Sequence, residues 1–62
     1  MTPKELRNLR ELAGLTQEEL AGLLQRDRMT ISRWETGKIK IDRAKAWLIR
    51  LVIKEYIASK GS

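Results

Sequence analysis

The chain reads as an all-α protein, a small bundle of four to five helices. Three observations predict it. Residues suited to helix capping, Thr2, Thr16, Asp27 and Asp42, each stand just ahead of a stretch with apolar residues at helical spacing. Gly14 and Gly37 follow two of those stretches, where a left-handed residue closes a helix. The 62 residues include no cysteine and no histidine, which leaves ideal helix packing or association as the source of stability. A chain of this length forms one domain, residues 1–62, and buries only about 60% of the surface it exposes unfolded. A disulfide is excluded, and without Cys or His no metal site is expected.

The first helix is expected over 3–13. Thr2 accepts from the first-turn N–H groups, Pro3 suits the first helical position, and Glu5 completes a capping box. Leu6, Leu9 and Ala13 form its apolar stripe. Gly14 ends it, and Leu15 folds back onto it. Thr16-Gln17-Glu18-Glu19 repeats the capping box and opens a second helix over 17–24, with Leu20, Ala21, Leu23 and Leu24 available to face inward. Ala21 is small enough to let the next helix approach closely.

Gln25-Arg26 is a sharp turn. Asp27 caps a third helix over 28–36, stopped by Gly37. Ile31 and Trp34 share one face of this helix, whereas Arg28, Met29, Ser32 and Arg33 point away from it. So short a helix is marginal alone, and Ile31 and Trp34 must pin it. Lys38-Ile39-Lys40-Ile41 is a basic connector with two anchoring isoleucines. Asp42 caps the last helix, expected over 43–60, with a frayed end at Lys60-Gly61-Ser62; a break near Arg50 would make five helices.

The last helix carries two apolar stripes. At 100° per residue, Ala44, Trp47, Leu48 and Leu51 form one, and Ile49, Val52, Ile53 and Tyr56 form a second about 140° away. One small core is not expected to use both. The second stripe is therefore the expected dimer interface. The other arrangement is a last helix buried on both sides within one subunit.

Charge is one-sided. Residues 1–24 hold three basic and four acidic side chains, while residues 25–62 hold ten basic and four acidic, giving +5 overall. This is the electrostatic footprint expected of a nucleic-acid binder. Catalysis is not expected. His and Cys are absent, the carboxylates serve as caps, first-turn charges or ion-pair partners, and no cofactor site is visible. MTPKEL lacks the apolar stretch of a signal peptide, and no run approaches the ~20 apolar residues of a membrane span. The expected location is the cytoplasm, at the nucleoid through DNA, with no membrane partner.

Leu6, Leu9 and Arg10, then Leu15-Thr16-Gln17-Glu18-Glu19-Leu20-Ala21, then Ile31-Ser32-Arg33-Trp34-Glu35-Thr36-Gly37 carry a resemblance to the phage Cro and repressor (XRE-like) helix-turn-helix family. It covers Thr2 to about Trp47, and implies a fold of the lambda-repressor-like DNA-binding type. The chain departs from the family at the turn, with Gln25 where Gly is usual and Arg26 where an aliphatic residue is usual. A left-handed residue other than Gly costs about 1 kcal/mol, which the fold tolerates. Arg26 can lay its methylene stem on the core.

The resemblance implies that the third helix enters the major groove of double-stranded DNA, with Arg28, Met29, Ser32 and Arg33 reading bases. It implies that Gln17, at the start of the second helix, holds a phosphate. Lys38, Lys40 and Arg43 are phosphate candidates beside it, Thr30 and Thr36 weaker ones. It also implies a structural salt bridge between Arg10 and Glu35. The function implied is a sequence-specific transcriptional regulator, a homodimeric repressor on an inverted-repeat operator with half-sites about 10 bp apart or a multiple of that. The alternative is a protein-interaction module or antitoxin that uses the same fold to bind a partner protein.

Overall fold

The computed structural model describes residues 1–61 and is a small all-α bundle of four helices: α1 (Pro3–Leu12), α2 (Gln17–Leu24), α3 (Arg28–Thr36) and α4 (Arg43–Gly61). Both capping boxes form. Thr2 Oγ1 accepts from Glu5 N at 3.1 Å while Thr2 N donates to Glu5 Oε1 at 2.9 Å. Thr16 and Glu19 repeat the exchange at 3.0 and 2.9 Å. The caps hold the Glu5 and Glu19 carboxyls below their usual range, through the hydrogen bonds from Thr2 and Thr16.

The first two helices close in one way, and the third also ends on a left-handed residue. After α1, Gly14 N donates to Glu11 O at 3.0 Å and Leu15 N to Arg10 O at 3.0 Å, which is the Schellman pattern. Leu15 is then drawn into the core. After α2, Gln25 N donates to Gly22 O and Arg26 N to Ala21 O, at 3.2 and 2.8 Å. Gln25 sits at φ 56°, the left-handed residue that needs no side chain and has one. After α3, Gly37 takes φ 80° and Lys38 N reaches Arg33 O at 2.9 Å.

Leu6, Leu20, Ile31 and Ile49 are the large side chains sealed most completely, one from each helix. Ala13, Leu15, Ala21, Trp34, Ile41, Ala46 and Ile53 complete the core, with Leu9, Leu24 and Tyr56 packed against its edge. Leu23, expected to face inward, is exposed, and so is Ile39; of the connector's two isoleucines only Ile41 is an anchor.

Helix α4 reverses the expected assignment of its two stripes. Ile49 and Ile53 are 1% and 2% exposed, and Val52 and Tyr56 are half-buried beside them, so the stripe expected at a dimer interface is the core face. Trp47, Leu48 and Leu51 are 66%, 43% and 40% exposed. The reason is length along the helix. Ala46, Ile49, Ile53 and Tyr56 run for about three turns within a narrow arc, so one face meets both α1 and α2. The Ala44–Leu51 stripe is confined to about two turns and cannot reach both. With no Gly or Pro between 43 and 60, the helix does not break at Arg50. It continues through Lys60 to Gly61, where fraying was expected; Ser62 lies outside the described residues.

Candidate nucleic-acid interface

Helix α3 is fixed at both ends and from below. Asp27 Oδ1 accepts from Thr30 N at 2.9 Å and from Thr30 Oγ1 at 2.7 Å, and those bonds hold the Asp27 carboxyl below its usual range. Ile31 and Trp34 are buried against the rest of the core, where Ala21 of α2 leaves room for the close crossing. The opposite side is open. Arg28, Met29 and Arg33 are exposed, Ser32 is half-buried at the edge, and neither arginine forms an ion pair among the described residues. Thr36 shares this outer side, but its hydroxyl donates back to Ser32 O at 2.9 Å.

A single carboxylate ties α3 to the first two helices. Glu35 has no exposed side-chain surface. Its Oε2 accepts from Arg10 Nε at 2.6 Å, and its Oε1 accepts from Arg10 Nη2 and from Gln17 Nε2, both at 3.1 Å. The remaining Arg10 nitrogen donates to Leu15 O at 2.8 Å, so the whole guanidinium fork is engaged. Burial alone would raise the Glu35 carboxyl, but hydrogen bonds from Arg10 and Gln17 and the nearby positive charge outweigh it and hold it low. No buried side-chain polar atom among the described residues lacks a partner.

Arg7 belongs to the same cluster and had no role in the sequence reading. Its Nε lies 3.5 Å from Glu35 Oε1. The available signal was its position three residues before Arg10, on one face of α1. Arg50, 3.8 Å from Glu5, and Lys45, 3.0 Å from Asp42, are the remaining ion pairs given by the described residues; both are exposed.

The phosphate candidates separate on donor chemistry. Gln17 gives one amide hydrogen to Glu35 and keeps a second. Lys38, Lys40 and Arg43 are exposed and follow α3 directly. Thr30 is a correction: its one hydroxyl proton goes to Asp27, and a phosphate oxygen offers only acceptors. Together the outer side of α3 and its basic connector offer two free guanidinium forks, a thioether and a row of cations. That set suits base edges and phosphates. Among the described residues no group of three or more His, Cys, Asp or Glu could hold a metal ion, and no helix is long and apolar enough to cross a membrane.

Comparison with curated proteins and with solved structures gave no match. The sequence profile of the helix-turn-helix domain family matches residues 4–52, from the first turn of α1 into the middle of α4. A domain of this type supports a DNA-binding regulatory function in general terms. The match spans most of the chain and contains both helices of the pair, their left-handed turn and the Glu35 cluster, so the chain belongs to the XRE-like helix-turn-helix DNA-binding domain family.

Proposed function

We propose that the protein is a sequence-specific, double-stranded-DNA-binding transcriptional regulator that acts as a homodimeric repressor on an inverted-repeat operator. The observation that carries this reading is the outer side of α3. Arg28 and Arg33 stand exposed and, among the described residues, without ion-pair partners on a helix whose other side is locked by Ile31, Trp34 and Glu35. The nearest acid, Asp27, is engaged as the cap. In this reading Arg28 or Arg33 donates two hydrogen bonds to guanine O6 and N7, Met29 meets a thymine methyl, and Ser32 permits close approach. Gln17, Lys38, Lys40 and Arg43 take phosphates and set the register without reading sequence.

A second copy of the chain is the proposed occupant of the exposed face of α4. Trp47, Leu48 and Leu51 form that face, with Arg50 and Lys54 along one flank and Glu55 on the face itself one turn beyond Leu51. The same apolar face favours a second reading, in which the partner is a different protein and the domain is an interaction module.

Selection of bound duplexes from a random DNA library tests the first reading. The expected result is an enriched inverted repeat whose affinity falls steeply with salt. Arg33→Ala should then lose about 1–3 kcal/mol of discrimination at one position of each half-site, with an unchanged circular-dichroism spectrum. No enrichment, with binding that is weak and indifferent to sequence, would overturn it and favour the protein partner.

A further inference from the structure

We infer that Arg7, on the first helix, is a phosphate-binding residue that works beside Gln17, both held in place by the Glu35 carboxylate. This rests on the DNA-binding reading above and extends the contact surface to a helix outside the α2–α3 pair. Three observations carry it. Arg7 Nε and Gln17 Nε2 converge on one atom, Glu35 Oε1, at 3.5 and 3.1 Å, so the guanidinium and the amide lie side by side. The cluster is unbalanced, since Arg7 and Arg10 place two positive charges around one carboxylate. The surplus charge is also presented outward: the Arg10 side chain is 12% exposed with all its nitrogens engaged, whereas the Arg7 side chain is 54% exposed and approaches Glu35 through Nε at 3.5 Å, with no hydrogen bond given for its terminal nitrogens.

Among the described residues no second acid pairs with Arg7, and Glu11 acts on the cluster only through its field at Arg10. Glu11, one turn further along α1, forms no ion pair with Arg7. The two terminal nitrogens of Arg7 and the second amide hydrogen of Gln17 are the donors left over, and they are the kind that a phosphate oxygen accepts. Glu35 is then a positioning residue. It orients both groups while Arg10 neutralises it, so a phosphate at Arg7 meets a net positive cluster and not a bare carboxylate. The basic stretch after α3 and this cluster at the start of α2 would hold the backbone on two sides of the groove helix.

The test is the salt dependence of binding by the full chain, wild type against Arg7→Gln and Arg7→Ala. Two probes are used: the duplex selected from the random library and a duplex of the same length with scrambled sequence. Each phosphate neutralised contributes about 0.9 to the slope of log affinity against log salt. Loss of one contact per subunit lowers the slope by about 0.9 for each bound copy, about 1.8 for a dimer on the selected inverted repeat. The affinity lost between about 50 and 200 mM salt then shrinks roughly threefold per bound copy, roughly tenfold for the dimer, and base preferences stay the same. Melting midpoints close to wild type separate this from a packing role, because a half-exposed contact at this distance adds little stability. An unchanged slope in either folded variant overturns the inference, whatever happens to the melting midpoint. If wild type itself binds neither duplex in a salt-dependent way, it is the DNA-binding reading that fails.

Discussion

At the scale of single residues, Glu35 does more than any other side chain to join the elements. It stands on α3, is fully buried, and receives hydrogen bonds from α1 and α2. Removing one partner of such a pair strands the other charge, at about 3–5 kcal/mol. Glu35→Gln should therefore lower the melting midpoint by roughly 10 °C or more for a domain of this size. The carboxyl also links stability to pH. Its folded value lies below the unfolded value near 4.5, so its contribution is complete above that pH and is lost as pH falls through the folded value. Thermal melts between pH 7 and pH 3 should show wild type losing midpoint below about pH 4.5, and Glu35→Gln starting lower and losing less. Part of the loss will persist in the variant, because Glu5, Glu19, Asp27 and Asp42 are also held low by their capping bonds. Parallel curves for the two proteins would remove Glu35 from the account.

The turn between α2 and α3 and the two faces of α4 belong to the scale of elements. The turn closes with the same two hydrogen bonds as the end of α1, where Gly14 is the left-handed residue, but with Gln25 in that place. Relief of the side-chain clash by Gln25→Gly is offset in part by the freer unfolded chain. A net gain of about 0.5–1 kcal/mol is expected, a few degrees in the melting midpoint, with no change in the fold. Destabilisation would mean that the Gln25 side chain makes a contact that outweighs its strain. For α4 the prediction is a contrast. Ile53→Ala removes a sealed core side chain and should cost about 2–5 kcal/mol, whereas Leu48→Ala, on the opposite face, should cost well under 1 kcal/mol in the monomer. Equal losses in urea melts at a concentration where the protein is monomeric would refute the division of faces.

The whole molecule is small enough that one exposed apolar face matters. Trp47, Leu48 and Leu51 on α4 remain uncovered in the single chain. Under the proposed homodimer this face is closed by the second copy, so association and stability should be linked by concentration. Sedimentation equilibrium should show self-association that Trp47→Ser weakens by at least tenfold, while its effect on the melting midpoint of dilute protein stays small. A monomer at millimolar concentration with an intact operator preference would transfer dimer formation to the DNA. A monomer with no operator preference would favour the partner-protein reading.

Much of this was legible in the sequence because it depends on neighbours within four residues. Caps at Thr2, Thr16 and Asp27, stops at Gly14 and Gly37, the lengths of the first three helices and the outward set on α3 all follow from local hydrogen bonding and from the 100° step. The Arg10–Glu35 pair came through family resemblance, since no local rule joins residues 25 apart. What the tertiary structure alone decided were choices between locally equivalent options. Either stripe of α4 is apolar enough to be buried; only the positions of α1 and α2 select Ile49 and Ile53 over Trp47 and Leu48. Thr30 and Gln17 both look like free donors, yet one proton goes to a cap and the other to a buried acid. Arg7 acquires its place only when Glu35 arrives from another helix. Helix formation is set by short-range geometry, whereas the use of each face and each donor is set by what the other helices bring within a few ångströms.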